Sequence, residues 1–115
     1  MNPTSTIQRI AGFQEELQFE VLRRLHKAPH LSQRALAREL GISLGSINYC
    51  FKTLAEKGWI NMQTFSHSEH KLRYVYLLTP SGITEKAKLT AKFLTQKLAE
   101  FESLQQEIES LKADL

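Results

Sequence analysis

Hydrophobic positions recur at two spacings along this chain, and the switch between them marks out its elements. Leu17, Val21, Leu22 and Leu25 follow a helical period from Glu15 onward, with Phe13 and Phe19 as further packing residues. Glu15 and Glu16 then fall in the first turn, Arg23, Arg24 and Lys27 lie toward the end, and Pro29 stops the helix. Residues 1–12 hold Pro3, Gly12 and several Ser, Thr and Asn without a periodic apolar face, and are expected to form a flexible N-terminal arm.

Ser32 is placed to cap a short second helix whose apolar face is Leu36, Ala37 and Leu40, ending at Gly41. Ser43 caps a third, with Ile47, Cys50, Phe51 and Leu54 inward and Gly58 closing it. Two helices separated by so short a glycine-containing turn predict a helix-turn-helix. Past Gly58 the period falls to about 2. Trp59, Ile60, Met62 and Phe65 form one β-rich run and Tyr74 to Leu78 another, around a polar stretch, Ser66 to Lys71, expected to be a loop too long for a two-residue turn. Thr79 as N-cap and Pro80 at the first helical position open a last helix. With no later proline it has up to about 35 residues, roughly 50 Å at 1.5 Å per residue.

The expected fold is mainly α with a β wing: a winged helix-turn-helix domain at 13–79, following the arm at 1–12, and a long helix at 80–115. A chain of 115 residues with 42% hydrophobic content has room for one modest core. It has no run of apolar residues long enough to cross a membrane and no signal-peptide pattern at its start, so a cytoplasmic protein without membrane attachment is expected. The single cysteine, Cys50, excludes an internal disulfide and a cysteine-rich zinc site. Charge is unevenly distributed: residues 1–80 carry ten Lys/Arg against six Asp/Glu, whereas residues 81–115 carry five against six. The basic part is the candidate nucleic-acid face.

A helical projection of the third helix puts Gly45, Asn48, Tyr49, Lys52 and Glu56 opposite its apolar face. Ser43, Ser46 and Asn48 are short hydrogen-bonding groups, Tyr49 can stack or bind phosphate, Lys52 is a cation, and Gly45 lets the backbone come close. Such groups reach base edges and phosphates when a helix lies in the major groove. His67, His70, Lys71 and Arg73 make the hairpin tip basic, and Gln33, Arg34 and Arg38 on the second helix are further candidates for phosphate contact.

The stretch LSQRALARELGISLGSINYCFKTLAEKGWI, Leu31 to Ile60, resembles the winged core of MarR-type regulators. Together with YVYLLTPSGITEKAKLTAKFL it is similar to the short MarR group associated with exopolysaccharide gene clusters, over about residues 13–115, the LLTPSGITEK junction being the most specific part. The resemblance implies a dimeric regulator that binds double-stranded DNA through Ser43, Ser46, Asn48, Tyr49 and Lys52 on the recognition helix and His67 to Arg73 on the wing. Typical MarR proteins have additional helices for the dimer interface and often a pocket for phenolic ligands. Here one long helix must serve, and no effector is assigned.

A heptad frame fits that helix, with Ala87, Leu94, Phe101, Ile108 and Leu115 at a and Ile83, Thr90, Lys97, Leu104 and Leu111 at d. From Phe101 the seam is wholly apolar. Phe93 and Leu98 widen the stripe upstream, so the first half is expected to pack on the winged domain and the second on a partner helix. The alternative is that Leu104, Ile108 and Leu111 fold back on their own chain. Parallel and antiparallel pairing both remain open.

Other chemistry has less support. His67-x-x-His70 with Cys50 lacks the third and fourth ligands of a closed metal site, and Cys50 falls on an inward face, where cysteine acts as a small apolar residue. There is no glycine-rich phosphate loop, HExxH or G-x-S-x-G, so neither an enzyme nor a cofactor is expected. The competing class is a winged-helix module whose third helix contacts protein.

Overall fold

The computed structural model describes the backbone of residues 3–68 and 71–115 and the side chains of residues 12–64 and 74–115. Its elements are α1 (Pro3–Lys27), α2 (Gln33–Leu40), α3 (Leu44–Glu56), β1 (Ile60–Ser68), β2 (Lys71–Leu78) and α4 (Pro80–Ala113).

Hydroxyl side chains open α2, α3 and α4. The Ser32 hydroxyl accepts the Ala35 N–H at 3.0 Å, Ser43 that of Ser46 at 3.1 Å, and Thr79 that of Gly82 at 3.0 Å. Each satisfies an amide that the first helical turn leaves without a partner. Glycines end α2 and α3 in the same way. Gly41 and Gly58 adopt φ of 67° and 75°, where a side chain is strained, and this turns the next amide back onto the helix. Ile42 N–H reaches the Ala37 carbonyl and Trp59 N–H the Leu54 carbonyl, each at 3.0 Å, the six-to-one bond of a Schellman stop. Local sequence thus folds the helix-turn-helix and points α3 outward from α2.

Val21, Leu22, Leu25, Leu36, Ile47, Leu54 and Ile60 are the most completely buried side chains, so α1, α2, α3 and the start of β1 share one core. Burial of each stabilises the fold by about 1.5–3 kcal/mol. Tyr76 meets the edge of Phe51 at 4.8 Å between ring centroids and holds the hairpin on α3. The strands are antiparallel, from Ile60 opposite Leu78 at the anchored end to Ser68 opposite Lys71 at the far end.

Three sequence expectations change. First, α1 begins at Pro3, so its helical backbone includes most of the segment expected to be an arm. Pro3 suits a first helical position, and Gly12 costs a helix only about 1 kcal/mol relative to alanine. Glu15 therefore lies well inside the helix, where it pairs with Lys92 of α4. Second, Phe13 is 53% exposed and lies outside the core, whereas Phe19 is buried. Third, the ladder persists to Ser68 and Lys71, with an irregularity between Ser66 and Ser68, so the stretch expected to be a long loop is largely strand. A polar composition does not end a strand whose backbone bonds are supplied by its neighbour.

The first half of α4 docks as expected. Leu89 is buried, Phe93 stacks on Phe19 with centroids 4.9 Å apart, and the Lys86 Nζ lies 2.9 Å from the His26 Nδ1. Beyond Phe93 every α4 side chain is exposed, and the molecule is 68 Å long against 32 and 26 Å in the other directions.

Candidate nucleic-acid interface

The period of α3 separates its two faces cleanly. Ile47, Cys50, Phe51 and Leu54 are buried, while Gly45, Asn48, Tyr49 and Lys52 are exposed, Tyr49 by 62%. Among the described residues, no hydrogen bond or ion pair occupies the side chains of Asn48, Tyr49 or Lys52. The two serines differ from these. The Ser43 hydroxyl caps α3 and also donates to the Ser46 hydroxyl at 2.9 Å, so this pair first builds the start of the helix. Asn48, Tyr49 and Lys52 are left as the outward-reaching set.

α2 adds positive charge beside that start. Arg34 and Arg38 are exposed and, with Gly41, Ile42 and Leu44, line a shallow depression between α2 and α3. The one carboxylate of α2, Glu39, is drawn to Arg24 at 3.3 Å. Among the described residues, Arg34, Arg38 and Lys52 have no acidic partner, so their charge faces solvent. Gln33 is half-buried at the first position of α2.

The strand register puts the backbone of Lys71 opposite Ser68 and that of Arg73 opposite Phe65, toward the far end of the hairpin. At about 3.3 Å per residue, Arg73 lies roughly 17 Å from the anchored Leu78. His70 and the side chains of His67, Lys71 and Arg73 lie outside the described residues.

Sequence reasoning missed the part α1 plays here. A groove of about 570 Å³ runs between α1 and α3, with Phe13, Leu17 and Gln18 on one wall and Ser46, Tyr49, Cys50 and Thr53 on the other. Lys57, just past α3, donates to the Gln18 side chain at 3.0 Å and lies 4.5 Å over the Trp59 ring, tying α1 to the root of the wing. No periodicity within α1 signals this groove, because it exists only where two helices diverge.

Cys50 sits under the groove and is 3% exposed. Burial pushes its thiol from an ordinary value of 9.0 up to about 11, with Lys57 pulling weakly the other way. A thiol raised by burial favours the folded state below the unfolded value, and that advantage is lost as pH rises through the folded one. Between pH 9 and 11 the protein is therefore expected to lose on the order of 2 kcal/mol that a Cys50→Ala variant does not lose. Urea denaturation of both proteins across that range checks it, and parallel pH profiles would refute it.

Three packed helices with a two-stranded hairpin and a capped, outward-facing third helix define a winged helix-turn-helix protein. Residues 14–61 match the family described as winged helix-turn-helix DNA-binding. Solved structures share the fold over most of the chain. S. aureus MepR, in a complex with DNA, is 22% identical with a TM-score of 0.64, covering 94% of this chain and 80% of its own. The transcriptional regulator SlyA is 15% identical with a TM-score of 0.63, covering 87% and 78%. The smu.1704 protein of Streptococcus mutans UA159 is 20% identical with a TM-score of 0.62, covering 74% and 82%. No curated protein matches the chain in sequence. Among the described residues, no helix is long and apolar enough to cross a membrane.

Proposed function

We propose that this chain is a MarR-type transcription regulator that binds double-stranded DNA as a homodimer, with α3 in the major groove, the wing along the adjacent backbone and α4 joining two copies. The observation that carries the proposal is the exposed set Asn48, Tyr49 and Lys52 beside the charges of Arg34 and Arg38, none of them engaged by a hydrogen bond or an acidic partner among the described residues. Ser43, Gly45 and Ser46 present the start of the helix, Gln33 joins the phosphate-facing end of α2, and His67, His70, Lys71 and Arg73 serve the wing. That MepR was solved with DNA on the same fold supports this reading. The resemblance of the LLTPSGITEK junction extends it to exopolysaccharide genes as targets. The pairing surface is Leu94, Phe101, Leu104, Ile108, Leu111 and Leu115. The function invokes no catalytic residue, metal or cofactor, and places the protein in the cytoplasm with the genome.

Genomic footprinting of the bound protein would supply the duplex for the test. Its affinity is expected to fall about 10³-fold between 50 and 200 mM salt, the response to roughly six phosphate contacts. A salt-independent affinity, or no enriched site at all, would favour a winged module that contacts protein.

A further inference from the structure

The far half of α4 leaves an apolar stripe exposed. Leu94, Leu98, Phe101, Leu104 and Leu111 are each more than half exposed, and Ile108 only slightly less. Taking from the proposed function that this stripe meets a second copy of the chain, the charges that flank it specify which way the copy runs. We propose that two α4 helices pair in parallel and in register, so that both winged domains leave the same end of the stalk.

The residues beside the seam set the direction. In the heptad frame the g positions of this half are Glu100, Glu107 and Asp114, all acidic, and the e positions are Leu98, Gln105 and Lys112. Antiparallel helices set g against g and e against e. Packing the Phe101–Leu111 layers that way brings Glu107 against its own copy and Glu100 near Asp114 of the second chain. Like charges then face each other along one whole edge. Parallel helices set g against the following e of the partner. Glu107 then meets Lys112 and Glu100 meets Gln105, each twice by symmetry. One edge pattern repels and the other attracts.

Lys97, at a d position, is the one residue that opposes this arrangement, since parallel pairing would bring two copies of it together. Its Nζ lies 3.2 Å from Glu100 of the same helix, so each chain carries its own counter-charge out to the rim. The seam proper starts below it, at Phe101. Direction also matters for DNA. Parallel pairing keeps two α3 helices at one end, where they can address neighbouring half-sites of one duplex face. Antiparallel pairing would place them at opposite ends of a long stalk.

Cysteine cross-linking in the whole 115-residue chain separates these arrangements, because Cys50 is buried. With Leu111→Cys alone, parallel pairing brings the two thiols into one layer. At least tenfold more disulfide-linked dimer than with an exposed-face control, Gln106→Cys, is expected in a glutathione redox buffer. Antiparallel pairing holds these thiols about 15 Å apart, beyond disulfide reach. It would instead link an equimolar mixture of Phe101→Cys and Leu111→Cys across the two variants, and a predominance of that mixed product would overturn the proposal. Sedimentation of the unmodified protein isolates the underlying reading. A monomer, or a dimer that survives truncation after Leu98, would remove the α4 pairing itself, whereas a dimer lost on truncation but linked through the mixed positions would remove only its direction.

Discussion

Replacing Tyr49 and Lys52 together by alanine is expected to lower affinity for the footprinted duplex at least 100-fold while leaving the fold and the dimer unchanged. Each side chain that contacts a base or a phosphate contributes about 1–3 kcal/mol, and a dimer loses it in both half-sites. Tyr49 is 62% exposed and Lys52 is also exposed, so neither supports the core. Exposed substitutions of this kind usually change stability by no more than about 0.5 kcal/mol. Mobility shift and thermal melting on the same preparation check both halves. Retained specific binding would move the reading surface away from α3.

Substituting Gly82 by alanine should destabilise the protein on the order of 3 kcal/mol and lower its melting temperature by about 10 °C. Helix propensity alone argues the reverse, because alanine in a helix is favoured over glycine by about 1 kcal/mol. The tertiary contact decides the sign. Gly82 is buried in the first turn of α4, and a Cβ there would lie 2.0 Å from the carbonyl oxygen of Trp59 and 2.9 Å from its carbon. Backbone cannot step aside as a flexible side chain does. The same carbonyl accepts the Thr79 N–H at 3.0 Å, and the Thr79 hydroxyl donates to the Gly58 carbonyl at 2.6 Å. Any retreat of Trp59 therefore pulls on the stop of α3 and the cap of α4 together. Differential scanning calorimetry measures the effect, and a melting temperature at or above that of the unaltered protein would show that the close approach is not retained in solution.

These two substitutions also mark what the sequence reveals of exposure and what it leaves hidden of contact. Tyr49 and Lys52 were legible because a helix with Ile47, Cys50, Phe51 and Leu54 on one side must turn its other side to solvent. Gly82 was visible only as a glycine inside a helical pattern, and nothing nearby in sequence says that Trp59 crosses it. Phe13 was misassigned to the core for a related reason. Its spacing fits the apolar stripe of α1, but among the described residues that position is left 53% exposed.

Caps, stops and periodicity are local. A hydroxyl reaches an amide three residues on, and a glycine turns the chain where it stands, so Ser32, Gly41, Ser43, Gly58, Thr79 and Pro80 determined the helix-turn-helix and the start of the last helix by themselves. Contacts between distant segments are not encoded in any one of them. The groove between α1 and α3, the extension of the hairpin to Ser68 and Lys71, the stacking of Phe19 on Phe93 and the close fit at Gly82 were decided by tertiary structure, because each depends on two surfaces whose positions only the packed core sets.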